Sequence, residues 1–120
     1  MGSETELEAA EAARLVVDVA SEQQAADILL LDMRDLCDFT DYFIILTGES
    51  RRQMQALLED VDRALEEVGR RVHHREGSAD GGWVLLDFGD LIVHVFGPEE
   101  REFYQLERLW SQAPVVFRVQ

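Results

Sequence analysis

The chain has 120 residues, 47% of them apolar, and its 25 Asp and Glu against 11 Lys and Arg leave a net charge of −14. That length suits one domain with a real hydrophobic core, the apolar content excludes a disordered chain, and no apolar run reaches the ~20 residues that span a bilayer. The excess of negative charge argues against a phosphate backbone as partner, since that binding rests on Lys and Arg, and favours a basic surface, most simply a basic protein.

Residues 1–6 carry neither the positive start nor the apolar stretch of a signal peptide, and the acids after Gly2 argue against a lipid anchor on an anionic membrane. The single cysteine, Cys37, excludes an internal disulfide and suits a reducing compartment. A cytoplasmic protein is expected. Residues 7–24 read as a helix, with Leu7, Ala10, Ala13, Val17 and Ala20 on one stripe and Ser3/Glu6 or Thr5/Glu8 as its capping box. Because that stripe is thin and rich in Ala, the helix is expected at the margin of a sheet.

Residues 27–33 form a strand centred on Ile28 to Leu31, and after a loop residues 42–47 form a second, ended by Gly48. Residues 50–68 are the clearest helix: Ser50 and Gln53 have capping-box spacing, and Met54, Leu57, Leu58, Val61, Leu65 and Val68 recur at helical period. Gly69 stands where a left-handed C-terminal residue belongs. Residues 70–74 are a weaker strand, followed by a turn-prone stretch over 76–82. Two apolar runs around Gly89-Asp90 then make a hairpin over residues 83–96. Gly97-Pro98 starts a last helix with Phe103, Leu106, Leu109, Trp110 and Ala113 on its apolar side, and Pro114 ends it. Residues 114–120 are an edge strand or a tail. The order predicts one α/β domain over 1–120, a mixed sheet of about five strands with flanking helices, its second and third strands joined in parallel by the helix at 50–68.

A two-residue turn fixes the hairpin register: Asp87 opposite Ile92, Leu86 opposite Val93, Leu85 opposite His94, Val84 opposite Val95 and Trp83 opposite Phe96. One face is then wholly apolar, with Val84, Leu86, Phe88, Leu91, Val93 and Val95. The other carries Trp83, Leu85, Asp87, Ile92, His94 and Phe96, with Asp87 and His94 as diagonal neighbours within reach. The first face reads as core and the second as a surface something else must cover.

Catalytic constellations are thin. Thr47-Gly48-Glu49-Ser50 loosely resembles the Gly-Ser turn of nucleotidyltransferases, which hold Mg²⁺ between close carboxylates, but Asp87 and Asp90 point apart. Asp87 with His94 has the form of an acid–base pair without a nucleophile beside it, so an ion pair or a binding role is the simpler reading. His73 and His74 face opposite ways on a strand and have no usable zinc spacing with Cys37. Arg70 and Arg71 follow a helix end, where its dipole favours cations. No cofactor or metal is expected.

Several stretches together carry a resemblance: Asp41-Tyr42-Phe43-Ile44-Ile45-Leu46-Thr47-Gly48, Ser50-x-Arg52-Gln53, Glu76-Gly77, Gly82-Trp83-x-x-x-Asp87-x-Gly89-Asp90-x-Ile92-Val93-His94-x-Phe96, and Arg101-x-Phe103-Tyr104-x-Leu106-Glu107-x-Leu109-Trp110. In this order they resemble the ribosomal silencing factor family, also called Iojap-like, over residues 7–113. The resemblance implies a non-enzymatic protein with a nucleotidyltransferase-like sheet. It also implies binding to the large ribosomal subunit through a basic protein of the L-fourteen family, obstruction of small-subunit joining, and homodimers when free. On that reading Trp83, Leu85, Asp87, His94 and Phe96 form the docking face. Tyr104 and Arg101 stand at its rim, and Asp80 and Asp90 add charge complementarity, with little direct nucleic-acid contact. Two other readings are an Mg²⁺-nucleotide-binding protein of nucleotidyltransferase type and a dimeric scaffold for another basic protein.

Overall fold

A computed structural model describes residues 8–120, so Leu7 and the proposed caps Ser3/Glu6 and Thr5 lie outside the described residues. The first helix, α1 (Ala9–Glu22), begins after Glu8, whose backbone N–H donates to the Glu11 carboxylate at 3.3 Å. Its buried residues are Ala12, Ala13, Val16, Val17 and Ala20, while Ala10 is exposed. The helix lies on β1 (Ala26–Asp32) and β2 (Tyr42–Thr47), in the middle of the molecule and not at the sheet margin. The thin Ala stripe has the opposite consequence to the one expected. Small side chains let the helix pack closely on the sheet, and Ala13, Val17 and Ala20 of the stripe are buried there together with Ala12 and Val16.

Helix α2 (Arg51–Glu67) follows the sequence reading, burying Met54, Leu57, Leu58, Val61 and Leu65 on the same side of the sheet as α1. Ser50 Oγ accepts the Gln53 N–H at 3.1 Å, which satisfies one of the orphan donors of the first turn. The reciprocal half of the box is not formed. Gln53 Oε1 accepts the N–H of Glu49, one residue before the cap, at 2.7 Å, and its Nε2 donates to the carbonyls of Gln23 and Gln24 at 2.8 and 3.1 Å, pinning the turn between α1 and β1.

The remaining strands are β3 (His74–Ser78), β4 (Trp83–Asp87), β5 (Leu91–Phe96) and β6 (Val115–Val119). Among the described residues the sheet has six strands, not about five, in the order β3-β4-β5-β2-β1-β6. Of these six strands β2 and β5 pair in parallel, and the other four pairs are antiparallel. The second and third strands therefore run the same way but are not neighbours, because the β4–β5 hairpin stands between them. Composition explains the placement. Strand β5 is buried along its whole length and belongs at the centre, whereas His74-Arg75-Glu76-Gly77-Ser78 is exposed at every position and belongs at an edge. The strand also starts later than predicted, so β3 takes residues 76–78 of the loop expected over 76–82 and a short 3-10 turn (Ala79–Gly81) takes the next three.

The single last helix is in fact two. Helix α3 (Pro98–Tyr104) and the one-turn α4 (Leu106–Leu109) meet at Gln105, whose φ is +47°. The break turns Phe103 and Leu109 outward, so the apolar stripe predicted across them is not a buried face. Leu106 and Ala113 remain buried and Trp110 half-buried. Residues 115–119 form the edge strand of the two alternatives, antiparallel to β1.

Two cores result. One lies between the sheet and α1 with α2. The other joins Leu29, Leu31, Phe43, Ile45, Ile92 and Phe96 to Leu106, Ala113 and the half-buried Leu36, Cys37, Trp83, Leu85 and Trp110.

Candidate functional site

The hairpin has the register read from its turn at all five pairs. Gly89 takes φ +95° at the first turn position, and Phe88 N–H donates to Leu91 O at 2.8 Å to close it. Val84, Leu86, Phe88, Leu91, Val93 and Val95 are all buried in the first core. Their opposite numbers project to the side covered only by α3, α4 and the β1–β2 loop.

On that second side the rings form a connected band. Phe43 lies edge-on to His94 with centroids 4.9 Å apart, and Trp83 stacks on Phe96 at 4.9 Å and 29°. Tyr104 covers Trp83 at 4.6 Å and Phe103 meets Tyr104 at 5.0 Å. At the other end Phe39 and Trp110 pack on Phe43 at 6.1 and 5.7 Å. The ends are open to solvent: Phe103 is 80% exposed, Leu109 75%, Phe39 56% and Tyr104 46%. Trp83 and Leu85 are half-buried, and a shallow groove runs between them and Glu76-Gly77. Contiguous apolar surface of this kind marks interaction sites.

The sequence-predicted residues divide sharply. Trp83, Leu85 and Tyr104 reach the surface and adjoin one another. Phe96 and His94 lie beneath them, 0% and 3% exposed, and support the face without forming it. Arg101 is also buried. Its Nη1 donates to Thr47 Oγ1 at 2.7 Å and its Nε faces Glu107 at 3.3 Å, so it ties α3 to β2 and to α4 and is not a rim residue. Asp80 is exposed and lies 3.3 Å from Arg51 at the start of α2. Asp90 holds Arg70 in a two-pronged pair at 2.5 and 3.1 Å, at the hairpin turn and roughly 20 Å along β5 from Phe96. Neither carboxylate adjoins Trp83 as a free charge. The sequence pattern does not mark Phe39, Phe103 and Leu109 as surface residues. For Phe39 a signal exists, an aromatic between Asp38 and Thr40 in a polar loop; for the other two there is none, because the break at Gln105 has no Gly or Pro to announce it.

Asp87 and His94 do not pair. Asp87 Oδ1 accepts the Gly89 N–H at 2.8 Å and closes the turn, an ordinary local bond for Asp. His94 Nδ1 instead accepts the indole N–H of Trp83 at 3.2 Å. An accepting Nδ1 places the ring proton on Nε2, and burial in apolar surroundings lowers the His94 pKa from 6.5 to about 4, so the ring is neutral. Nε2 is buried without a partner, a state that costs about 1–3 kcal/mol.

The Thr47-Gly48-Glu49-Ser50 turn borders a polar cleft of about 450 Å³ at the ends of β2 and β5. Its walls include Asp27, Glu49, Glu102 and Glu107 with Arg101 and Arg108. Thr47 is taken by Arg101 and Ser50 by the helix cap, while Asp87 and Asp90 are engaged away from it.

The chain matches the family model described as "Ribosomal silencing factor during starvation" over residues 6–120. It is 39% identical to the Ribosomal silencing factor RsfS of Bacillus subtilis over 102 residues, which covers 85% of this chain and 86% of the relative. It is also 39% identical to the chloroplastic protein Iojap of Zea mays over 97 residues, 78% of this chain and 41% of that longer protein. A crystal structure from Chromobacterium violaceum superposes with a TM-score of 0.83 at 36% identity, over 88% of each chain.

Proposed function

The chain belongs to the ribosomal silencing factor family, and from that premise we propose that it represses translation by docking on the large ribosomal subunit and blocking the small subunit from joining. The partner in this proposal is a basic protein of the L-fourteen family, met by the open aromatic side of the sheet. One observation carries the reading: Trp83, Leu85, Phe103 and Tyr104 form a contiguous apolar surface on a chain of net charge −14. Aromatic anchors dominate binding energy at interfaces. The surrounding acids, among them Asp35 and Asp38 beside Phe39 and Glu102 beside Phe103, favour a cationic protein surface over ribosomal RNA.

Trp83→Ala tests it. The variant is expected to keep the native circular dichroism spectrum and to lose about thirtyfold or more in affinity for isolated large subunits, the range of an interface hot spot. Its ability to prevent subunit joining in a sucrose gradient should fall in step. Co-sedimentation at native affinity would sink the proposal.

A further inference from the structure

Among the described residues, the one buried side-chain polar atom without a partner is Nε2 of His94, in the middle of the aromatic band. The three rings around His94 are Phe43, Trp83 and Phe96, with centroids at 4.9, 6.0 and 6.3 Å. A phenylalanine at position 94 would make the same contacts and leave no orphan donor. What only the imidazole adds is the Nδ1 lone pair, and that lone pair is used: it accepts the Trp83 indole N–H at 3.2 Å. An indole N–H is a donor with no acceptor role, and when half-buried it needs a partner that holds the ring in one plane. Trp83 in turn stacks on Phe96 and packs at 50° against the more exposed Tyr104, so the orientation of the indole bears on how that ring is seated.

We propose that His94 is a positioning residue for docking: by accepting the Trp83 N–H it fixes the Trp83–Tyr104 pair in the orientation that the partner meets. The proposal rests on the reading that this face docks. It places the function of a buried residue in pre-organisation, which lowers the ordering cost of binding without a direct contact. The orphaned Nε2–H is the structural trace of that role, since the tautomer that frees Nδ1 to accept must carry its proton on Nε2.

The test uses the full chain, ¹⁵N-labelled, with the Trp83 indole signal assigned by its loss in Trp83→Phe. His94→Phe is expected to shift that signal and speed its exchange with water, and His94→Gln, whose amide oxygen can accept, to recover part of both. Affinity for isolated large ribosomal subunits should fall about five- to tenfold in His94→Phe and at least as much in Trp83→Phe, which also gives up part of the ring, with no further loss when His94→Phe is added to Trp83→Phe. An unchanged indole signal overturns the proposal, as do additive losses in the double variant. If Trp83→Ala binds normally, the docking face itself is wrong and the role of His94 falls with it, while the indole signal still reports the bond. Should His94→Phe fail to fold, Trp83→Phe carries the affinity arm: taking away the indole N–H together with part of the ring must weaken binding at least about five- to tenfold, and full retention overturns the proposal.

Discussion

The two sides of the sheet are built from the same strands and finished differently. On one side α1 and α2 lie across the central strands and bury every apolar side chain beneath them. On the other, a seven-residue helix, a single turn and a loop cover β2 and β5 but leave Trp83 and Leu85 of β4 half-open. The thick side holds the fold together. The thin side holds a polar feature that a purely structural layer would not keep, the one orphaned buried side-chain polar atom among the described residues, an imidazole N–H. Stability and recognition are thus divided between faces, and variants on each side should separate them.

The largest contrast should come from truncating one residue on each side. Leu57, fully buried on α2, is expected to lose about 2–5 kcal/mol of unfolding free energy as Leu57→Ala, the usual range for a leucine-to-alanine cavity. Tyr104→Ala, on the open side, is expected to lose less than about 1 kcal/mol, since its ring is partly solvated, yet to weaken subunit binding more than Leu57→Ala does. Urea titrations of both variants beside co-sedimentation would show this. Equal stability losses would erase the distinction between the faces.

How much of this was legible in the sequence follows the same division. The hairpin register, the extent of β2 and the Ser50 cap of α2 depend on local periodicity and turn chemistry, and all are found as read. Whatever depended on which element covers which was harder. The stripe read for α1 contains the buried Ala13, Val17 and Ala20 but misses Ala12 and Val16 and includes the exposed Ala10, because alanine marks a helical face weakly. The hairpin's insertion between β2 and β3 follows from the burial of β5, a competition among strands that no local pattern displays. On the open side, sequence spacing brought Asp87 and His94 within reach of each other, and each found a nearer partner: Asp87 the Gly89 N–H and His94 the Trp83 indole. A resemblance motif can thus name Trp83 and His94 without telling which of them meets solvent.

Acidity should act on the open side through the same imidazole. The His94 pKa is lowered from 6.5 to about 4 by burial, so over that interval the unfolded chain binds a proton that the folded chain refuses. Stability from this group is therefore fully present above about pH 6.5 and is lost progressively as the pH falls towards 4, in total on the order of 3 kcal/mol. Carboxylate titration overlaps the lower part of this window, so the informative quantity is a difference. Wild type and His94→Gln, unfolded in urea at pH 7.5, 6 and 5, should show the wild type losing the more stability on acidification. Parallel losses would mean that His94 is protonated in the folded state as readily as in the unfolded one.

The smallest effect is expected where sequence reasoning placed charge for the partner. Asp90 is paired with Arg70 at the hairpin turn, with the carboxylate partly exposed and the guanidinium largely covered. Exposed or half-exposed pairs of this kind contribute at most about 1 kcal/mol, and salt screens them. Asp90→Asn keeps the turn geometry and removes the charge, so it should lower stability by less than about 1 kcal/mol, with the deficit shrinking in 0.5 M salt. Because the turn lies at the far end of β5 from Phe96, the rate of association with large subunits should change by less than about twofold at physiological salt, a separation well beyond the ~8 Å Debye length. A tenfold slower association in Asp90→Asn, measured by stopped flow, would move the docking surface from the aromatic end of the hairpin to its turn.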